Sequence, residues 1–431
     1  MTSLRVLPFL PALLSAQEGP LTLRDAVAAA LKEQPSLKAA EASAEAARHR
    51  ADQASLDRVG KLDTSYLYTP RQKNLEVAFP GIPPLIPATS FEVKQLQEHA
   101  FTASFTQPLW TWGALTKKAQ AADREAQAGR RSFDRARQQT VFEASKAFLQ
   151  AAQAQEGAHV SAQALEQQRA FLRVAKSRVD AGAAPRLDQL KAELAVARAE
   201  SDLLEARNRA RLAREALAAL TLDPRFRSAS LDMAPEAGAA LPGEEESVAL
   251  ALRQRPDLLA LAKAGEAYGL GSEAASAAAR PALAFRASLT QQNDSAGRMW
   301  NGSSRLYQAG LALSWEGFSP LRASARAAEL RASATEARHR LRAAEEGVSL
   351  EVRSALSSAR EARERAAVQR RALGVAEEQA RIARLAYREG VITSVEAEDA
   401  ELALTSARFN LTRAEMDAAL SQAQLAFAMG E

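Results

Sequence analysis

The sequence has no cysteine among its 431 residues, which excludes disulfide bonds, cysteine-rich metal sites and a lipid-modified cysteine. Aromatic residues make up only 5% of the chain, which argues against a large core built on aromatic side chains. No stretch approaches the roughly 18 to 20 apolar residues that a membrane-spanning helix needs. Any membrane crossing by this chain would therefore have to use β-strands.

Signatures of catalysis and of nucleic-acid binding are also missing. The four histidines, His49, His99, His159 and His339, are scattered, and we interpret them as solvated surface residues. There is no phosphate-binding loop, nucleophile elbow or cluster of metal ligands. Charges of both signs alternate and sum to only +4, so no basic patch suggests nucleic acid. The sequence predicts that the protein is not an enzyme and needs no cofactor or metal.

Long helices dominate what the sequence does contain. Alanine is abundant, 25% of the residues are charged, and opposite charges recur three or four positions apart. Alanine has the best helix propensity, and such charge spacing is typical of a solvated helical face. No proline interrupts residues 114–181 or 321–389, where apolar residues recur at heptad spacing. We predict a helix over each range, about 100 Å long at a rise of 1.5 Å per residue.

Four segments change to a period of two, with apolar residues on one face and mostly small polar residues on the other. The predicted strands cover 62–69, 99–107, 282–290 and 305–314. Their lengths suit strands that cross a bilayer at a tilt. The segment from Pro70 to Gln97 is rich in proline, and we predict a loop that is too long for a tight hairpin.

A turn with bulky aromatic residues follows each predicted strand pair. The first turn contains Trp110 and Trp112, and the second, residues 315–320, contains Trp315 and Phe318. Two interpretations fit this spacing equally well. The residues form either an interfacial aromatic belt at the ends of membrane strands or a small aromatic core that caps a sheet.

Two stretches of the chain match each other at an offset of 208 residues, with Gly182 aligned on Gly390. Glycine closes a helix at low cost because it readily adopts the left-handed conformation, so each glycine predicts a helix end, a tight turn and a new helix. The new helices are predicted over 186–222 and 394–428. Each has an apolar seam that we interpret as a packing stripe. The seam covers residues 187, 190, 194, 197, 201 and 204 and, less purely, 395, 398, 402, 405, 409 and 412.

The duplication divides the chain into two repeats. Residues 1–16 combine a basic residue, an apolar run and small residues, which predicts a signal peptide. The first repeat spans 17–222 and the second spans 247–431, each with a helix, a strand pair, a long helix, a glycine turn and a further helix. Residues 223–246 contain three prolines and are predicted to be the connector.

Four membrane strands cannot close a barrel alone, because open sheet edges in lipid leave backbone groups unpaired. The segments RVDAG at 178–182 and YREG at 387–390, together with this order of elements, resemble the TolC-like outer-membrane efflux proteins. The resemblance covers essentially the whole chain after residue 16. It implies a mainly α fold in which long coiled-coil helices form an α-barrel. The four strands of each chain would contribute to a twelve-stranded membrane β-barrel in a homotrimer.

The resemblance also implies a function in export. The trimer would be the outer-membrane channel of a tripartite efflux system or a type I secretion system. It would lie in the lipid of the outer membrane and extend into the periplasm. The implied partners are a periplasmic adaptor (membrane fusion) protein and an inner-membrane pump, without nucleic acid.

The same resemblance places a pore constriction at the two glycine turns. The implied gate residues are Asp188, Tyr387, Glu396 and Asp399. Three-fold rings of carboxylates in a narrow pore concentrate cations, and tyrosine can hold neighbouring helices closed through hydrogen bonds. Acids that directly follow a helix start are also favoured by capping and by the helix dipole alone, so a purely structural role for them stays open.

Two further expectations concern the turns themselves. Gly182 and Gly390 mark the hairpin tips where the adaptor is implied to dock. The second turn departs from the family at Ile392, where some members have an arginine of the gate, and Arg186 or Arg388 are the candidates to replace it.

A different class of protein also fits part of the pattern. A soluble coiled-coil scaffold or adaptor could use the same long helices, with the short strands in a small sheet. That reading leaves the signal-like residues 1–16 and the paired strands unexplained, so the channel is the leading prediction.

Overall fold

The computed structural model describes residues 19–70, 75–94, 97–232, 240–298, 305–315 and 319–431. The predicted signal peptide at 1–16 and Phe318 of the second aromatic turn lie outside the described residues. The helices are α1 (Leu23–Glu33), α2 (Pro35–Leu56), α3 (Ala114–Asp180), α4 (Arg186–Thr221), α5 (Glu244–Gln254), α6 (Pro256–Ala278), α7 (Ser319–Arg388) and α8 (Ser394–Met429). None of the helices in these ranges is both long enough and apolar enough to cross a membrane.

The strands are β1 (Lys61–Pro70), β2 (Leu75–Phe79), β3 (Thr89–Lys94), β4 (Gln97–Trp110), β5 (Ala282–Asn293) and β6 (Arg305–Ser314). The four long strands form one antiparallel sheet in the order β1-β4-β5-β6. Within it, Leu62 pairs with Phe105, Ala103 pairs with Leu289, and Leu289 also pairs with Tyr307. The pairing of β4 with β5 joins a strand of the first repeat to a strand of the second. Among the described residues, β1 and β6 each have a partner strand on one side only.

The edge strands are not half-buried within one chain, in contrast to the sequence expectation. Tyr307, Leu311 and Leu313 lie on one face of β6 and are 69%, 69% and 72% exposed. β1 is exposed along nearly its whole length on both faces. The reason is that the sheet is a single layer, and the described part of the chain supplies no second layer over these strands.

A second, two-stranded sheet corrects the prediction of a loop between residues 70 and 97. β2 and β3 are antiparallel, with Val77 paired to Phe91, and Ile82 and Ile86 form a bridge between them. The alternation of apolar residues in β2 is a strand pattern. The prolines that suggested a loop fall between the two strands, where they remove no hydrogen bond from the ladder.

The tryptophans at the strand ends do not form a core within the chain. Trp110, Trp112 and Trp315 are 57%, 46% and 60% exposed. The Trp112 indole N–H donates to the carbonyl of Pro281 at 2.8 Å, and that of Trp315 donates to Ala279 at 3.3 Å. An exposed apolar ring with a satisfied N–H is what an interfacial position requires, so this geometry favours the belt over the core.

His99 corrects the prediction that all four histidines are solvated. It is buried in β4, where its Nδ1 lies 2.5 Å from the Tyr66 hydroxyl and its ring lies 4.8 Å from the ring of Tyr68. Tyr68 is its direct cross-strand partner. The sequence alone could not show this pairing, because it depends on the register between β1 and β4.

The chain comprises two compact units, the first of which contains the described part of Met1–Glu41 together with Phe133–Pro256 and Ala344–Glu431. Thr22 is the N-cap of α1, in a reciprocal capping box with Asp25. An apolar cluster of this unit includes Phe148 and Phe226, which are 1% and 0% exposed. Phe226 belongs to the predicted connector, so this part of the connector packs into a core.

In the first unit, α4 pairs with the part of α3 from Phe133 onward, and α8 pairs with the part of α7 from Ala344 onward. These two helical hairpins lie side by side, and we call them the first and second hairpin. In the first hairpin, Leu165 packs on Ala199 and Leu203. In the second hairpin, Ala380 packs on Leu404. Small alanine side chains on the inner faces let the helices approach closely.

The leucine seam predicted on α4 is wrong as a description of this packing. Leu187, Leu190 and Leu194 are 58%, 50% and 52% exposed within the chain. Alanines at intervening positions, such as Ala192 and Ala195, occupy the buried face instead. The seam therefore presents apolar surface that the described part of the chain leaves uncovered.

The second unit comprises Ala42–Ser132 and Asp257–Ala343 and contains the strands. Its helices also approach closely through small residues. A Cβ placed on Gly129 would lie 3.2 Å from the Cβ of Ala47, and one on Gly265 would lie 3.5 Å from the Cβ of Ala337. These distances leave little room for larger side chains at either glycine.

Candidate pore constriction at the two helical turns

The two glycine turns have the same backbone. At the first turn, the N–H of Gly182 donates to the carbonyl of Val179 at 3.0 Å, and the N–H of Ala183 donates to the carbonyl of Arg178 at 2.8 Å. The equivalent bonds at Gly390 measure 3.1 and 2.9 Å. This is the Schellman motif, which needs a left-handed residue, and the two glycines have φ of +70° and +77°. The structure thus has the tight turns that the glycines predicted.

The helices that leave the two turns are capped differently. Thr393 begins α8 in a capping box: its N–H donates to the Glu396 carboxylate at 2.7 Å, and its Oγ1 accepts from the Glu396 N–H at 3.3 Å. The hydrogen bond from the Thr393 N–H, followed by that from its hydroxyl, holds the pKa of Glu396 below its ordinary value. Pro185 occupies the same position before α4 and has neither a hydroxyl nor an N–H. Asp188, the counterpart of Glu396, therefore cannot form a capping box.

Asp188 instead joins the two hairpins. Its Oδ1 accepts a hydrogen bond of 3.0 Å from the hydroxyl of Ser394, the first residue of α8. Ser394 is only 6% exposed, so this bond is shielded from water on the serine side. A carboxylate beside the start of α8 also interacts favourably with the helix dipole. The bond connects the start of α4 to the start of α8.

Tyr387 lies buried between the hairpins, with 3% of its surface exposed. Its ring stacks on Phe171 of α3, with the ring centroids 4.8 Å apart and the planes at 24°. Its hydroxyl is buried and has no hydrogen-bond partner among the described residues. Burial raises the pKa of Tyr387, the nearby charge of Asp188 adds to this, and Arg178 opposes it.

Arg178 is a candidate residue to which sequence reasoning assigned no role. It lies in the last turn of α3, and its Cζ is 4.8 Å from the centroid of the Tyr387 ring. Its Nη1 donates to the carbonyl of Tyr387, and its Nη2 donates to the carbonyl of Ala183 at 3.5 Å. A guanidinium is favourable both over an aromatic ring and at the carbonyl end of a helix. The motif RVDAG contained Arg178, but its contact with a residue 209 positions away was not visible in the sequence.

The sequence candidates for a gate arginine lie elsewhere. Arg186 and Arg388 are exposed and form no hydrogen bond or ion pair within the described part of the chain. The guanidinium beside Tyr387 comes from the first hairpin instead. We call Arg178, Asp188, Tyr387 and Ser394 the tip cluster.

Glu396 and Asp399 do not join the tip cluster. Both are exposed on α8, and Glu396 is engaged in the cap of its own helix. Glu396 also borders an open groove of about 860 Å³ beside α7, which Ile382 and Ile392 line with apolar surface. Of the four predicted gate residues, the structure brings Asp188 and Tyr387 together and leaves Glu396 and Asp399 at the surface.

Comparison with known proteins identifies the fold and the family. The sequence profile of the outer membrane efflux protein family matches residues 26–221 and 248–431. The outer membrane protein VceC from Vibrio cholerae is 20% identical, with a TM-score of 0.77 over 95% of this chain and 96% of that one. The CmeC outer membrane channel of Campylobacter jejuni is 16% identical, with a TM-score of 0.79 over 95% and 85% of the two chains. The open MtrE outer membrane channel of Neisseria gonorrhoeae is 18% identical, with a TM-score of 0.74 over 95% and 88%. No curated protein matches the chain.

Long paired helices, a small antiparallel sheet and two glycine turns thus define an outer-membrane channel fold. The chain belongs to the outer membrane efflux protein family. Channels of this family are trimeric and work with adaptors and inner-membrane pumps in tripartite systems. The protein is an efflux channel of the outer membrane that extends into the periplasm, and it is not an enzyme. The predicted fold class and family are confirmed, and the alternative of a soluble scaffold is wrong.

Proposed function

We propose that the trimer exports its substrate through a pore that the two turns of each chain close at its periplasmic end. The partners would be a periplasmic adaptor and an inner-membrane pump, which supplies the energy. The observation that carries this proposal is the tip cluster, because each of the four helices α3, α4, α7 and α8 contributes one of its residues. Moving one hairpin away from the other must break its contacts. Contacts of this kind are suited to a constriction that opens when the two hairpins separate.

The unpaired edges of the sheet support the membrane part of the proposal. If β6 of each copy pairs with β1 of the next, three chains give a closed barrel of twelve strands with no open edge. The apolar face of β6 at Tyr307, Leu311 and Leu313 would then face lipid. The exposed leucines of α4 offer matching apolar surface for contacts between copies in the periplasm.

The two surface acids have a separate proposed role. Three copies of Glu396 and Asp399 would form carboxylate rings near the constriction and favour cations. Both side chains are exposed, and the Glu396 carboxylate also accepts from Thr393 in the cap of its own helix. The turns at Gly182 and Gly390 would contact the adaptor, since they are the exposed ends of the hairpins.

The first experiment asks whether the protein is an outer-membrane trimer that conducts ions. Cell fractionation and unheated gel electrophoresis in detergent should show a heat-sensitive trimer in the outer membrane. The purified trimer should give small, stable conductance steps in a planar bilayer. A monomer in the soluble fraction would contradict the proposal.

The acidic rings are tested by Glu396→Gln combined with Asp399→Asn. We expect the preference for cations to fall, because six carboxylates leave the narrow part of the trimer pore. The control is Glu361→Gln with Glu364→Gln, which removes the same charge from exposed positions of α7. Unchanged selectivity in Glu396→Gln with Asp399→Asn would show that these acids do not line the narrow part of the pore.

Adaptor docking is tested at the surface of the second turn. Val391 is 77% exposed beside Gly390, and Val391→Asp should abolish export in cells while trimers and bilayer conductance persist. Gly182→Asp tests the first turn in the same way. Normal export by both variants would contradict docking at the turns.

A further inference from the structure

We propose that Arg178 is the positioning residue of the constriction: its guanidinium, supplied by the first hairpin, holds the turn of the second hairpin in the closed position. This inference rests on the proposed constriction at the turns. The cation beside Tyr387 then comes from α3 and not from Arg388 of the second turn, which is exposed.

The guanidinium of Arg178 binds backbone carbonyls near both turns. The Tyr387 carbonyl that accepts from Nη1 is the same carbonyl that accepts the Gly390 N–H at 3.1 Å within the turn. Nη2 reaches the carbonyl of Ala183, just after the first glycine. Arg178 therefore bonds to the backbone of both turns at once. Lysine could not span both carbonyls with the same planar geometry.

The charge at the two helix ends also favours a cation here. α3 and α7 both end at this point, and helix C-termini are partially negative because the peptide dipoles align along each helix. A cation between the two ends offsets a repulsion that would otherwise oppose their approach. Asp188, the other charged member of the tip cluster, adds further negative charge near Tyr387.

The lack of a side chain at Gly390 leaves space for the guanidinium. A Cβ on this glycine would lie 3.2 Å from Nη2 of Arg178, whereas a Cβ on Gly182 would meet nothing within 4 Å. Both glycines adopt the left-handed conformation that their turns require. Only Gly390 also makes room for the guanidinium.

The test is hydrogen exchange of the trimer, read at the amides of Gly390 and Val391. In Arg178→Met their exchange should rise about tenfold, because a charge-assisted hydrogen bond and a ring contact are lost together. Arg178→Lys should fall between this variant and the wild type. The control, Arg186→Met, removes the same charge from an exposed position at the same tip and should change nothing. Equal exchange in Arg178→Met and in the control would overturn the inference.

A second pair of variants tests the same contact without changing charge. Gly390→Ala and Gly182→Ala impose similar strain on two equivalent turns, but only Gly390→Ala places a Cβ 3.2 Å from the guanidinium, which must shift by a few tenths of an ångström. We expect a larger rise in exchange at the second turn for Gly390→Ala than at the first turn for Gly182→Ala. Equal rises would count against the contact.

Bilayer conductance of the same samples separates this inference from the proposed function. Faster exchange with higher conductance in Arg178→Met supports both. Faster exchange with unchanged conductance supports the positioning role and contradicts the constriction. Unchanged exchange overturns the positioning role, whatever the conductance.

Discussion

The first and second turns share one backbone but differ in the side chains around it. Where the first hairpin has Arg178 and Val179, the second has Ala386 and Tyr387 at the equivalent positions. The cation of one turn therefore contacts the aromatic ring of the other, and no second copy of this contact can form. Duplication supplied two equal scaffolds, and divergence at a few positions made them complementary.

A second difference between the hairpins is an ion pair about one helical turn further from the turns. In the second hairpin, the carboxylate of Glu401 is 6% exposed and paired with Arg384. The equivalent residues of the first hairpin, Lys176 and Glu193, are both exposed, and within the described part of the chain Glu193 accepts only from Gln189 on its own helix. The ion pair between the helices of the first hairpin, Arg169 with Glu200, has both side chains exposed, whereas the second hairpin has a pair with a buried carboxylate at this position.

The largest expected effect comes from breaking that ion pair. Arg384→Ala should lower the local stability of α8 by roughly 2 to 3 kcal/mol. The variant leaves the buried carboxylate of Glu401 without its partner, and water can reach this carboxylate only through the space that the arginine side chain vacates. Lys176→Ala, the matched change in the first hairpin, should cost less than about 0.5 kcal/mol. Native-state hydrogen exchange around Glu401 and Glu193 measures both. Equal losses would contradict the difference between the hairpins.

The next largest effect comes from making the second turn resemble the first. Tyr387→Val should destabilise the trimer by about 2 kcal/mol per chain, because the contacts with Phe171 and Arg178 are lost. Tyr387→Phe is the control: it keeps the ring and removes a hydroxyl with no partner among the described residues, so it should be neutral or slightly stabilising. Thermal unfolding followed by circular dichroism compares them. A destabilised Tyr387→Phe would show that the hydroxyl is bonded after all.

The caps give a smaller effect. Thr393→Ala should cost about 1 kcal/mol at the start of α8, because it removes the hydroxyl that accepts from the Glu396 N–H and donates to the Glu396 carboxylate, while the backbone N–H of residue 393 is kept. Pro185→Ala should change the start of α4 little, since Pro185 makes no side-chain cap hydrogen bond. Amide exchange in the first turn of each helix provides the measurement, and similar fraying in both variants would contradict the assignment.

The smallest effect is a pH dependence confined to the second turn. The pKa of Glu396 in the folded protein lies below its ordinary value of 4.5. Its contribution to stability is therefore complete above pH 4.5 and is lost as the pH falls through the folded value. After correction for intrinsic rates, exchange at the start of α8 should rise on acidification. Glu396→Gln should abolish this rise, and a rise that persists in this variant would assign it to another group.

The sequence predicted the helices, the four long strands and the glycine turns well, because each depends on local patterns of period, proline and glycine. It missed β2 and β3, whose short apolar alternation is flanked by prolines. It also misjudged the leucines of α4, because periodicity marks an apolar face without saying whether the chain itself covers it.

In the tip cluster, the sequence predicted a role for Asp188 and Tyr387 but not for Arg178 and Ser394, which contact them. The contact of Arg178 with Tyr387 and the bond of Ser394 to Asp188 span more than 200 residues and depend on how the two hairpins pack. The sequence could nevertheless have predicted that Glu396 forms a capping box and that Asp188 does not. Proline at position 185 cannot cap, and threonine at position 393 can.

The central claim is that contact between the two hairpins at their turns closes the channel. Because the chain has no cysteine, Asp188→Cys with Ser394→Cys places a single pair of thiols where the native side chains lie 3.0 Å apart. The decisive measurement is the bilayer conductance of this trimer before and after reduction. We predict a disulfide within each chain and a conductance that stays low until the disulfide is reduced. A disulfide that forms but leaves the conductance the same in both states would contradict the claim.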